Sequence, residues 1–96
     1  MIEVSVKQDG ITVEGHAGYA ETGKDIVCSA VSVLTQTLIA GIKGLTDDRI
    51  RYEVKPGKVN IAYKDLSKQA QLLVDSFFIG ISEIITAYGD KYVSFI

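Results

Sequence analysis

The spacing of apolar residues along this chain switches twice between a period of two and a period near 3.6, and that double switch limits the folds open to it. Ile2, Val4 and Val6 alternate with Glu3, Ser5 and Lys7; after Asp9-Gly10 the alternation resumes with Ile11 and Val13 and runs out at Gly15. Strand side chains point alternately to two faces, so each run predicts a strand with one apolar face, and Asp-Gly between them predicts a hairpin. From Asp25 the period lengthens. Val27, Val31, Leu34, Leu38 and Ile42 fall on one helical face, and Ile26, Ala30, Val33 and Ala40 form a second stripe. This pattern predicts a helix nearly surrounded by apolar contacts, ending around Gly41 to Gly44.

The scheme then recurs. Ile50, Tyr52 and Val54 alternate before Pro56-Gly57, and Val59, Ile61 and Tyr63 after it, which predicts a second hairpin. Asp65 or Ser67 can cap a second helix carrying Leu73, Phe77, Ile81, Ile84 and Tyr88 and closing at Gly89, with Tyr92 to Ile96 left for a short last strand. The expected order is ββαββαβ, an α+β fold with two helices packed on a β-sheet. No linker or low-complexity segment divides it, so residues 1–96 are expected to form a single domain. The two strand-strand-helix units hint at a repeat, but their sequences diverge and only the first carries a thiol and an imidazole.

Composition narrows the partners. Ten Lys and Arg against 12 Asp and Glu leave no basic surface for a nucleic-acid backbone, so direct nucleic-acid binding is disfavoured. A single cysteine cannot close an internal disulfide and no charged, apolar leader precedes the first strand, so a reducing cytoplasm is the expected setting. Uninterrupted apolar runs such as Phe77 to Ile81 are too short to span a bilayer, and a soluble protein with no membrane partner is expected.

His16 and Cys28, the only imidazole and the only thiol, stand at opposite ends of a glycine-punctuated loop. If Asp25 caps the first helix, Cys28 falls in its first turn, where free N–H groups and the helix dipole favour a thiolate, and His16 can fold back to pair with it. That is the equipment of nucleophilic catalysis. Taken alone, each residue has a plainer reading: a lone cysteine is commonly a small buried hydrophobe, and a lone histidine is commonly structural. Asp25 reads as structural, because its charge opposes the thiolate it would sit beside. A metal site would need carboxylates or a second chain to complete coordination, and Lys24-Asp25 does not continue a phosphate-binding loop, so no metal and no cofactor are expected. Ser32, four residues beyond Cys28, shares its helical face and can orient the thiol or a loop, although a hydroxyl there more often bonds a preceding carbonyl. Tyr19 and Glu21 lie in the loop as candidate substrate contacts. Asp9, Glu14, Glu21 and Asp25 outweigh Lys24 in this stretch, which predicts attraction of a basic peptide.

Gly15-His16-Ala17, Gly23-Lys24-Asp25-Ile26-Val27-Cys28 and Ala30-Val31-Ser32 closely resemble the motif of the bacterial ribosomal-processing cysteine protease family Prp, also called YsxB-like. The length, the leading hairpin, the two helices and the Asp90-Lys91-Tyr92-Val93 ending are similar as well, so the resemblance covers essentially the whole chain. It implies that His16 and Cys28 form a catalytic dyad, with Gly15, Asp25 and Ser32 at accompanying motif positions. It further implies removal of a short N-terminal extension from the precursor of large-subunit ribosomal protein number twenty-seven, cut after an apolar, aromatic segment with basic residues close by. A homodimer with a mobile loop over the active site is implied too. Thr22 departs from the pattern where a histidine is frequent, and Ser29 where a small apolar residue is usual; neither removes the dyad.

The expected reaction is attack of the Cys28 thiolate on a peptide carbonyl, with His16 serving the leaving amine and then the hydrolytic water. Backbone N–H groups at the helix start, that of Cys28 among them, are the expected oxyanion donors. Two other classes compete with this endopeptidase. One is a non-catalytic ribosome-assembly or peptide-binding domain with an inert Cys28; the other, weakened by the lack of a second nearby cysteine, is a thiol redox sensor.

Overall fold

In the computed structural model, which describes residues 1–96, the chain forms β1 (Ile2–Lys7), β2 (Gly10–Gly15), α1 (Ile26–Leu45), β3 (Arg51–Lys55), β4 (Lys58–Ala62), α2 (Lys68–Tyr88) and β5 (Val93–Phe95). The strands make one sheet in the order β3-β4-β2-β1-β5. All neighbours are antiparallel except β5, which lies parallel to β1. The α+β reading in the order ββαββαβ therefore holds.

Register explains why one face of the sheet is covered. Val4 pairs with Val13, Val13 with Val59 and Val59 with Val54, so the alternating valines of four strands line up across one face. The opposite face carries Ser5, Thr12, Asn60 and Glu53 in the next row, with Thr12 Oγ1 donating to Asn60 Oδ1 at 3.3 Å. Val27, Val31, Leu38 and Ile42 of α1 and Ala70, Val74, Phe77 and Ile81 of α2 close over the apolar face in one buried cluster. Each fully buried Val, Leu, Ile or Phe there stabilises the fold by about 1.5–3 kcal/mol in transfer terms. The helices meet closely at Gly80, where a Cβ would lie 2.9 Å from Leu34 Cδ1.

Three expectations need correction. First, α1 does not stop at its glycines but runs through Gly41 and Gly44 to Leu45. The terminator is Thr46, whose backbone is extended (φ −132, ψ 166) and whose hydroxyl donates to Ile42 O at 2.7 Å. Second, the other apolar stripe of α1 is not enclosed, because the sheet covers only one side of the helix: Ile26 is 53% and Val33 63% exposed. Third, uninterrupted apolar runs are short, yet α1 and α2 as formed, 20 and 21 residues long, have the length and composition of membrane-crossing helices. Their buried stripes are here committed to the sheet.

The helix caps follow from local chemistry. Ser67, rather than Asp65, caps α2, accepting the Ala70 N–H at 3.1 Å. Its own N–H donates to Asp48 Oδ2 at 2.7 Å, tying the end of α1 to the start of α2. Tyr63, nearly buried, donates its hydroxyl to Lys7 O at 2.8 Å. Burial, reinforced by the nearby Asp9 charge, pushes that phenol above its ordinary pKa, so it stays a neutral donor.

Candidate active site

Antiparallel pairing of β2 with β4 carries the Pro56-Gly57 turn of the second hairpin to the end of β2, where the Gly15 N–H donates to Gly57 O at 2.8 Å. Gly15 has φ +107, and a Cβ there would run into the Met1 carbonyl oxygen, so only glycine fits this exit from the sheet. His16 follows directly. Its exposed ring lies over Gly57, where a Cβ would stand 2.9 Å from Nε2.

Cys28 occupies the first turn of α1, as the Asp25 cap predicts. Asp25 Oδ1 accepts the N–H groups of Val27 at 3.0 Å and Cys28 at 2.9 Å, while Oδ2 accepts those of Tyr19 at 2.9 Å and Ala20 at 3.4 Å. One buried carboxylate thus pins the loop to the helix start. Desolvation opposes its ionisation, but the N–H groups of Cys28, Tyr19, Ala20 and Val27 outweigh that and hold its pKa below the ordinary carboxylate value. The structural reading of Asp25 holds. The same geometry corrects the expected oxyanion donor: the Cys28 N–H is taken by the cap.

The thiol is partly buried and accepts a different amide, the Ala17 N–H, at 3.2 Å from Sγ. Sequence reasoning missed this donor, because it arises only when the loop folds back. Two cavities meet at the thiol. One, about 270 Å³, runs beneath the second hairpin and is lined by Val13, Val31, Val54, Pro56 and Val59 together with His16, Cys28 and Ser32. The other, about 500 Å³, is walled by the loop, including Glu21, Thr22, Gly23 and Asp25, and again by His16, Cys28 and Ser32. His16 and Cys28 therefore open onto the same space, although no hydrogen bond links imidazole to sulfur in this state. Such bonds often tighten only when substrate is bound.

The hydroxyls of α1 and the loop residues divide. Ser29 Oγ bonds back to Asp25 O at 3.1 Å and Thr35 Oγ1 to Val31 O at 2.7 Å, whereas Ser32 sits exposed on the shared wall of both cavities. Glu21 lines the loop cavity and pairs with Lys24 at 3.1 Å. Tyr19 lines neither cavity. Its ring turns away, edge-on to Tyr88 at 5.5 Å and to Tyr92 at 5.2 Å between centroids.

The expected acidic field is not assembled. Asp9 lies in the β1–β2 turn, at the far end of the hairpin from Gly15, and Glu14 stands opposite Lys58. Asp25 stays ionised but is buried beneath four amides, Glu21 pairs with Lys24, and Lys55 and Lys58 line the cavity beneath the hairpin. Spacing in sequence had grouped charges that the hairpin separates.

The cysteine protease Prp family model matches residues 1–94. A ribosomal processing cysteine protease Prp from Staphylococcus aureus is 28% identical over 97 residues, covering 94% of this chain and 92% of that protein. A Prp from Mycoplasma genitalium is 34% identical over 64 residues, covering 67% of this chain and 62% of that one. The fold matches the crystal structure of S. aureus Prp with a covalently linked product peptide at a TM-score of 0.87 and 24% identity, covering 98% of this chain and 94% of that chain. With the match spanning the whole ββαββαβ fold and both ends of the thiol–imidazole loop, this chain belongs to the Prp family of ribosomal-processing cysteine proteases.

Proposed function

We propose that the chain is a single-domain endopeptidase in which Cys28 is the nucleophile and His16 the general base and acid, and that it removes the N-terminal extension of large-subunit ribosomal protein number twenty-seven. The observation that carries this reading is the position of Cys28 Sγ: in the first turn of α1, receiving the Ala17 N–H at 3.2 Å, at the junction of two cavities that His16 also lines. The S. aureus relative is a ribosomal processing protease solved with a substrate peptide, which supports the substrate assignment by kinship.

In this reading Sγ attacks the scissile carbonyl carbon, the C–N bond breaks as His16 protonates the amine, and His16 then deprotonates the water that cleaves the thioester. The Cys28 N–H is committed to Asp25 and the Ala17 N–H to Sγ at rest, so the Ala17 N–H serves the oxyanion only by passing from the sulfur to the carbonyl oxygen as the C–S bond forms. The apolar cavity suits an apolar peptide segment, and it continues past Gln36 and Val54 into a wider groove bounded by Ile39, Ala40 and Tyr52. The protein works as a homodimer in the cytoplasm. Self-association is supported by the open apolar faces of the helices, including Ile26, Val33, Leu72 and Ile79.

The test is incubation of the full-length precursor with the purified protein and with a Cys28→Ala control, read by intact mass. One new N-terminus that depends on Cys28 supports the assignment. An untouched precursor contradicts it and returns the chain to a peptide-binding role.

A further inference from the structure

Between β2 and α1 the loop is unevenly held. Residues 21–24 are exposed and pair mainly among themselves, through the Lys24 N–H on Glu21 O at 3.0 Å and the Lys24–Glu21 ion pair. Residues 17–20 are fixed instead: Ala17 is 3% exposed, its N–H donates to Cys28 Sγ, and the Tyr19 and Ala20 N–H groups donate to Asp25. These hydrogen bonds all run through backbone N–H groups of the loop. Tyr19 adds a side-chain anchor. Its ring stands edge-on to Tyr88, the last residue of α2, at an interplanar angle of 80°, and to Tyr92 at 73°. Both geometries set the positive edge of one ring against the negative face of another, the favoured arrangement for aromatic pairs. Tyr92 is itself anchored, because its carbonyl accepts the Ile2 N–H at 2.8 Å at the head of β1.

We propose that Tyr19 is a positioning residue for the thiol: by docking on Tyr88 and Tyr92 it holds residues 17–20 so that the Ala17 amide stays on Cys28 Sγ. The ring touches neither cavity, so its effect reaches the sulfur only through the backbone between positions 17 and 19. The role needs an aromatic face and edge and does not need the phenol hydroxyl. The consequence for turnover rests on Cys28 being the nucleophile, whereas the consequence for thiol reactivity does not.

The experiment measures two rates on the full chain: alkylation of Cys28 by iodoacetamide at pH 7, and kcat and KM on a precursor-derived peptide. Tyr19→Ala is expected to slow alkylation and lower kcat by about tenfold, as loss of a ring pair of this kind implies, with KM changed by less than about twofold. Tyr19→Phe is expected to restore both rates to within about twofold of the parent. Tyr88→Ala removes one of the two docking rings from the exposed end of α2 and is expected to give an intermediate loss, which keeps the test available if Tyr19→Ala folds poorly. Parental alkylation in Tyr19→Ala or Tyr88→Ala overturns the proposal, and so does a Phe variant as slow as the Ala variant. If the peptide is not cleaved by the parent protein, the protease reading fails while the alkylation rates still decide the role of Tyr19.

Discussion

Asp25 Oδ1 accepts the backbone N–H of Cys28 at 2.9 Å, so the group that starts α1 is bonded directly to the residue that carries the thiol. The other oxygen of the same carboxylate holds the returning loop at Tyr19 and Ala20. The start of α1 and the loop beside the thiol therefore share one anchor, a single ionised group.

That dependence has a sign. The pKa of Asp25 is lowered in the folded protein, so its contribution to stability is fully present above the ordinary carboxyl value of 3.8 and is lost as pH falls through the depressed folded value. Asp48 behaves alike: hydrogen bonding from Ser67, by its hydroxyl and its N–H, outweighs desolvation and lowers its pKa. Melting temperature followed from neutral pH downward should fall steeply below about pH 4 for the parent and less steeply for Asp25→Asn or Asp48→Asn, each less stable at neutrality. Parallel curves for parent and variants would remove both carboxylates from the acid transition.

Gly57 and Gly89 separate backbone strain from catalysis. Both have positive φ, +74 and +104, so alanine at either costs about 1–3 kcal/mol of stability. Only at Gly57 does the new Cβ meet the His16 ring; at Gly89 nothing lies within 4 Å. Gly57→Ala should lower kcat well beyond what its stability loss explains, and Gly89→Ala, whose strain reaches the site only through Tyr88 and Tyr92, should lower it less. Equal kcat in the two variants would show that the turn does not position the imidazole.

Two isoleucines of α2 distinguish the core from the outer face. Ile81 is fully buried and Ile79 is 61% exposed. Ile81→Ala should cost about 2–5 kcal/mol in chemical denaturation, whereas Ile79→Ala should change folding stability by about 0.5 kcal/mol or less. Sedimentation of Ile79→Ala should show weakened self-association if this face joins two copies. A parent that sediments only as a monomer at micromolar concentration contradicts the homodimer.

Substrate choice should follow the apolar cavities rather than charge. Replacing the aromatic residues before the cut in a precursor peptide by alanine should lower kcat/KM by about tenfold to a hundredfold, because each loses burial of an aromatic side chain. Since Asp9 lies at the far end of the hairpin, Glu14 faces Lys58, Glu21 pairs with Lys24 and Lys55 lines the cavity, kcat/KM should change by about twofold or less between low and moderate salt. Strong salt dependence would restore the electrostatic reading, and equal cleavage of aromatic-free peptides would exclude the apolar one.

The period switches in sequence located the two hairpins and both helices, because β1, β2, α1 and α2 each bury one face and the pattern records which; β3 alternates in the same way although all its residues are exposed. They also placed Cys28 correctly, since an Asp three residues before it is a local capping signal. What they could not supply was anything set by strand order. The contact of His16 with Gly57 exists only because β2 pairs with β4, and Pro56-Gly57 carried no sign beyond that of a turn. The ring contacts of Tyr19 are beyond sequence for the same reason: its partners Tyr88 and Tyr92 lie some seventy residues away, and loop position alone suggests only solvent and substrate. Thr35, 1% exposed on the buried face of α1, broke the apolar pattern because its hydroxyl is satisfied by the helix itself.

A covalent bond between Cys28 and the substrate is measured most directly by intact mass of the protein itself, acid-quenched during turnover of the full-length precursor and then mapped by peptide. The account predicts a protein species heavier by the N-terminal extension less one water, with the adduct on Cys28 and absent from Cys28→Ala. An adduct on Ser29 or Ser32, or cleavage that continues in Cys28→Ala, would contradict it.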